Sequence, residues 1–104
     1  VFDVPVFAFS DTEAAALGEF RFGAGKEFKD FYYITVSTGV GGSMVLGKKL
    51  YSKSPNLAGA FGHMVVVSDG NLCGCGRKGC IEAYSSGTAL KKIINNSEAL
   101  SKIQ

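Results

Sequence analysis

A chain of 104 residues with 46% hydrophobic side chains is long enough to bury one core and too short for two full domains. Its formal net charge of +2 is spread without runs of one sign, so neither a basic patch for nucleic acid nor an acidic tail is expected. The longest apolar runs are a few residues, which predicts no membrane span, and no charged-then-apolar leader is read at the start. The chain opens on Val1, directly in an apolar segment, as a cut piece or a processed product would.

In chain order, residues 4–9 (VPVFAF) read as a buried strand, with Pro5 confined to its start or to an edge. Ser10 and Glu13, three apart, form a capping box for a helix over residues 12–22, which Gly23, Ala24 and Gly25 end. Residues 26–30 are a polar connector, and residues 31–37 (FYYITVS) a second strand by aromatic and β-branched content. Thr38, Gly39, Val40, Gly41 and Gly42 follow as a glycine-rich turn, then a strand over 43–46, a turn over 47–49 and a short extended piece at Leu50 and Tyr51. Residues 52–59 are loop, 64–67 (MVVV) the last clear strand, and 68–71 a turn. A short helix is expected over 81–86, a second over 89–95 capped by Thr88, and a final one capped by Ser97.

The stretch GHMVVVSDGNLCGCGRKGCIE, residues 62–82, holds the only histidine and all three cysteines, spaced His63-x9-Cys73-x-Cys75-x4-Cys80. Four ligand-type side chains so close in sequence match a closed tetrahedral zinc site of the Cys3His type. The interspersed glycines suit a loop wrapped tightly around one ion. The plainer alternative is three ordinary thiols in a glycine-rich turn. A disulfide would leave one thiol over, and Cys-x-Cys neighbours pair poorly. Metal-bound, reduced cysteines in turn favour the cytoplasm. With four protein ligands the site is structural, since no position stays open for water.

The order SDTEAAALGE, YITVSTGVGG, AGAFGHM and CGCGRKGCIEAYSSGTAL resembles the ROK family of bacterial sugar kinases and sugar-responsive repressors, over nearly the whole chain. The knuckle is the most specific part: His63, Cys73, Cys75, Gly76, Gly79, Cys80 and Glu82 all match the family's pattern. The resemblance implies an α/β fold, part of an actin-like, ribonuclease-H-like ATPase domain with mostly antiparallel strands, flanking helices and a zinc knuckle. It divides the chain into the end of an N-terminal lobe (1–30) and the start of a C-terminal lobe (31–104).

By the same resemblance, Asp11 is the catalytic base that accepts a proton from a sugar hydroxyl as that oxygen attacks the γ-phosphoryl of ATP. Ser10 and Asp11, with His63 and Glu82, face the sugar, a hexose or N-acetylhexosamine. Thr38, Gly39, Gly41 and Gly42 form the second phosphate-contacting loop. Each role has a purely structural alternative: Asp11 supporting the helix cap, the glycines serving turn geometry, Glu82 favouring a helix dipole.

Two positions depart from the family pattern. Ser10 replaces an Asn beside the catalytic Asp, and Ala60 replaces a sugar-binding Glu, which removes charged hydrogen bonds worth about 1.5–3 kcal/mol each. Neither the Asp-x-Gly-Gly-Thr phosphate loop nor the adenine-binding segment occurs in these residues, so ATP with Mg2+ is expected to act only when those lobes are supplied. No helix-turn-helix is read, which argues against nucleic-acid binding through this chain.

The leading reading is therefore a fragment or degenerate member of the sugar kinases, inactive as an isolated chain. The alternatives are a non-catalytic sugar-sensing module of the repressor branch and a structural zinc domain for association. The Phe-rich segments 2–9 and 31–34 favour a homo-oligomer or a second chain supplying the missing lobes.

Overall fold

The computed structural model describes residues 3–51 and 60–96. Helix α1 (Asp11–Phe22) begins where the capping box requires. Ser10 Oγ accepts from the Glu13 amide at 3.1 Å, and the Ser10 amide donates to Glu13 Oε2 at 3.3 Å. At its end the Gly23 amide donates to Glu19 O, and Glu19 Oε2 accepts from the Ala24 amide at 2.8 Å, so one side chain closes the last turn. Residues Ala24–Glu27, expected to begin as part of a turn and continue as a connector, form a single turn of 3-10 helix.

Three antiparallel strands follow in the order β1 (Phe31–Val36), β2 (Val40–Leu46) and β3 (Lys49–Leu50). Val36 pairs with Val40 and Phe31 with Val45, so β1 and β2 are the two arms of one hairpin. The strand expected over 43–46 starts three residues earlier, because the ladder continues through Gly41 and Gly42 up to Val40. Gly47 and Lys48 both take positive φ (57° and 63°), the two-residue turn whose twist matches antiparallel strands.

β2 is covered on both faces, which explains its small and apolar sequence. On one side Thr12 and Ala16 of α1 approach it: Ser43 Oγ donates to Thr12 Oγ1 at 3.1 Å, and the fully buried Val45 lies two residues on along the same face. On the other side sits a 3-10 turn, Ala60–His63. There Phe61 packs on Tyr32 with ring centroids 5.6 Å apart, and Gly62 presses so closely on the Val40 carbonyl that a Cβ would overlap its oxygen. Alternate residues of one strand thus serve two layers.

Two strand expectations fail. Residues 5–10 adopt no strand, and Val4, Val6, Phe7 and Phe9 are exposed, since a strand exists only when paired and no partner lies beside this segment among the described residues. Residues 64–67 make one isolated bridge, Val65 to Cys80, because the Val66 and Val67 amides both donate to Gly79 O instead of to a ladder. The short helix expected from residue 81 is α2 (Glu82–Ser85), and α3 spans Gly87–Asn96. Its cap is Ser86, whose Oγ accepts from the Ala89 amide at 3.0 Å; the Thr88 hydroxyl donates to Thr38 O at 2.9 Å instead. The expected loop at 52–59 and the helix after Ser97 lie outside the described residues.

Candidate functional site

The segment after the 3-10 turn folds back on itself at every step. Gly79 N–H donates to Asn71 O, Cys73 N–H to Arg77 O, and Ile81 N–H to Met64 O, all at 2.8 to 2.9 Å. Gly79 has φ +80°, and a side chain there would strike the Val67 carbonyl, so this crossing admits only glycine. Tyr84 pins the far turn from α2, its hydroxyl accepting from the Asn71 amide at 2.8 Å.

The result is that His63, Cys73, Cys75 and Cys80 bring one ligand atom each to within 4.8 Å of one another. Cys75 and Cys80 Sγ are 3.8 Å apart, and Cys73 Sγ lies 3.5 Å from His63 Nδ1. With metal–sulfur bonds of about 2.3 Å and metal–nitrogen bonds of about 2.0–2.1 Å, a tetrahedral zinc site has S–S edges of roughly 3.8 Å and S–N edges of roughly 3.6 Å. The donor set and its spacing fit that ion.

Electrostatics divide the thiols. The Arg77 amide and guanidinium lower Cys75 to about 6, whereas burial pushes Cys80 up to about 11. Cys73 and Cys80 are buried and Cys75 is exposed, so one ligand is ready as a thiolate while another must lose its proton when a metal arrives.

The other candidate residues gather around the start of β2. Asp11 is the first residue of α1, exposed, with Oδ1 accepting from the Thr12 amide at 2.8 Å. Thr12 bridges Ser10 Oγ at 3.0 Å and lies against Gly41, where an added Cβ would sit 3.2 Å from its methyl. Thr38 and Gly39 occupy the β1–β2 turn, whereas Gly41 and Gly42 lie in the β2 ladder opposite Thr35 and Ile34. Glu82 begins α2 and sends Oε2 to the Val40 amide at 2.8 Å, with Oε1 3.9 Å from Cys73 Sγ.

A groove of about 810 Å³ opens between the 71–74 loop and α3, with Thr38 and Glu82 in its wall and Lys92 and Asn96 along its α3 side. The sequence alone gives Tyr84 and Ser86 no role in this region and marks Thr88 only as a helix cap. The Tyr84 and Thr88 bonds join positions far apart in the chain, whereas Ser86 acts locally, on the Ala89 amide at the start of α3.

The ROK family model matches residues 1–104. Glucokinase of Streptomyces coelicolor is 47% identical over 87 residues, covering 84% of this chain and 27% of the relative. N-acetylmannosamine kinase of Haemophilus influenzae is 41% identical over 91 residues, covering 88% and 30%. The crystal structure of a ROK family glucokinase from Streptomyces griseus in complex with glucose and AMPPNP superposes with a TM-score of 0.80 at 44% identity, covering 96% of this chain and 33% of that one.

The chain belongs to the ROK family, and its antiparallel sheet with helices is part of that family's actin-like ATPase fold. It spans 27 to 33% of the length of these relatives. No helix among the described residues is long and apolar enough to cross a membrane.

Proposed function

We propose that this chain is the central portion of an ATP-dependent sugar kinase, one that transfers the γ-phosphoryl of ATP to a hydroxyl of a hexose or N-acetylhexosamine. The observation that carries this reading is the convergence on one end of β2: Thr12, next to Asp11, against Gly41, and Glu82 on the Val40 amide. Zinc held by His63 and the three cysteines would supply no chemistry of its own, only a fixed loop, because four protein ligands close its coordination.

The chain's own residues divide the work. With Nδ1 of His63 turned toward the sulfurs, Nε2 carries the proton and donates to a sugar hydroxyl. Asp11, exposed at the mouth of α1, takes the proton from the attacking hydroxyl, with Ser10 beside it. The backbone amides around Thr38 and Gly39 and the Thr38 hydroxyl approach the phosphates, with Gly41 and Gly42 keeping the stem of that turn slim. Positioning dominates phosphoryl transfer, so turnover awaits the remaining nucleotide walls, and the isolated chain binds sugar without consuming ATP. Cysteines kept reduced to hold a metal favour the cytoplasm.

Elemental analysis of the purified chain should find one zinc per chain. Calorimetry should find weak binding of glucose or N-acetylmannosamine that His63→Ala abolishes. When the chain is joined to the absent lobes of a relative, Asp11→Asn should slow turnover by about 100-fold or more. Absence of both zinc and sugar would overturn the proposal, and equal rates for the two fused proteins would remove Asp11 from the mechanism.

A further inference from the structure

The β1–β2 turn is held from outside by the residues that follow the last cysteine. Besides Glu82 Oε2 on the Val40 amide, Gly87 N–H donates to Ser37 O at 2.7 Å. Thr38 O accepts from both the Thr88 amide at 3.3 Å and the Thr88 hydroxyl at 2.9 Å. Within the turn, one bond, Ser37 N–H to Gly39 O at 2.8 Å, supplements the strand pairing. The segment 82–88 therefore makes four hydrogen bonds to three residues of the turn, Ser37, Thr38 and Val40, and it starts two positions beyond Cys80.

We infer that the metal knuckle sets the geometry of the phosphate-contacting turn, with Glu82 as the positioning residue that transmits it. The inference rests on the zinc and phosphate-turn assignments proposed above. Its chemistry is local. A carboxylate accepting a backbone amide makes a charge-assisted bond, stronger than a neutral one, and it fixes where the next amides point. The knuckle reaches Glu82 through Cys73, whose Sγ lies 3.9 Å from Oε1, and through Cys80, two residues before it in the chain. Gly39 faces the same carboxylate: a methyl there would come within 2.7 Å of Oε2 and drive it from Val40. One oxygen of Glu82 is thus committed to the turn, which leaves Oε1 alone for a sugar hydroxyl and ties the sugar wall to the phosphate wall.

Amide hydrogen exchange of the full chain, read by NMR and paired with zinc analysis, tests this. In the zinc-loaded chain the Val40 amide should exchange slowly. Glu82→Ala should speed it by about tenfold or more while one zinc per chain is retained and amides at the far end of the β1–β2 ladder keep their rates. Gly39→Ala should do the same with Glu82 intact, which guards against Glu82→Ala failing to fold. Stripping zinc with EDTA should release Val40 in the parent chain, and added zinc chloride should restore its protection. Zinc bound with Val40 exchange unmoved by the variants and by EDTA overturns this inference and leaves the proposed function standing. A folded chain that binds no zinc overturns the metal assignment and this inference together.

Discussion

Removing the proposed zinc should cost this chain most of its thermal stability. Among the described residues the largest fully buried side chains are Val45, Cys80, Ser43 and Ser86, so one is a proposed ligand, two are polar, and a single sizeable apolar group remains. A core this thin leaves the knuckle dependent on the proposed ion. Without it the 64–81 segment keeps two isolated bridges and its backbone bonds, and it must bury Cys73 and Cys80 with only the 3.5 Å Cys73–His63 contact joining them to His63. With free zinc at about a thousand times its dissociation constant, linkage alone contributes about 4 kcal/mol. At about 4–8 °C per kcal/mol for a chain of this size, the midpoint should fall by roughly 16–32 °C on chelation. Thermal melts followed by circular dichroism, with EDTA and after zinc re-addition, give the number directly. A metal-free chain melting within about 3 °C of the loaded one, under conditions where about 4 kcal/mol of linkage is due, would refute the reasoning.

The thiols should differ in reactivity once the metal is gone. Cys75, lowered to about 6 by Arg77, is largely thiolate at neutral pH, and Cys80, pushed up to about 11 by burial, is not, so iodoacetamide followed by peptide mapping should find Cys75 alkylated first. The linkage signs are opposite: the lowered Cys75 adds stability that is lost as pH falls through about 6, and the raised Cys80 adds stability that is lost as pH rises through about 11. Equal labelling of the two would count against that division. Ser10→Ala removes the acceptor for the Glu13 amide and should lower stability by about 1 kcal/mol in denaturant titrations. Gly62→Ala places a methyl against the Val40 carbonyl and should cost about 1–3 kcal/mol or more; an unchanged midpoint would contradict the packing described. Ala60→Glu, which restores the carboxylate of the family pattern, should tighten sugar binding about tenfold or more in calorimetry.

Local chemistry was legible wherever it was complete within a few residues. The Ser10–Glu13 box marked the start of α1, the aromatic and β-branched content of FYYITV marked β1, and the His63 and cysteine spacing marked the residues that assemble into one cluster. Residues 4–9 and 64–67 have the same β-branched character, yet neither builds a ladder, because strand formation depends on a partner that composition does not reveal. Ser86 and Thr88 show the same limit at one helix end. Both are good caps, and the structure assigns the cap to Ser86 because Thr88 reaches Thr38 O, 50 residues away in sequence. The Glu82 bond to Val40 spans 42 residues and has no local trace.

What connects these distant pieces is that β2 has two buried faces. A strand exposed on one side would carry α1 alone, and the knuckle would have no surface on which to register. Burying Val40 and Gly42 on the face opposite Ser43 and Val45 obliges the 3-10 turn to pack there. That places His63 one residue beyond the contact of Gly62 with Val40. On the opposite face Thr12 meets Gly41, one residue along the strand, and carries Asp11 with it. Small residues at 41, 42 and 62 therefore set how closely the proposed proton acceptor, phosphate turn and sugar wall approach. Bulk added at any of them should disturb all three together, where loss of a single polar side chain would disturb one.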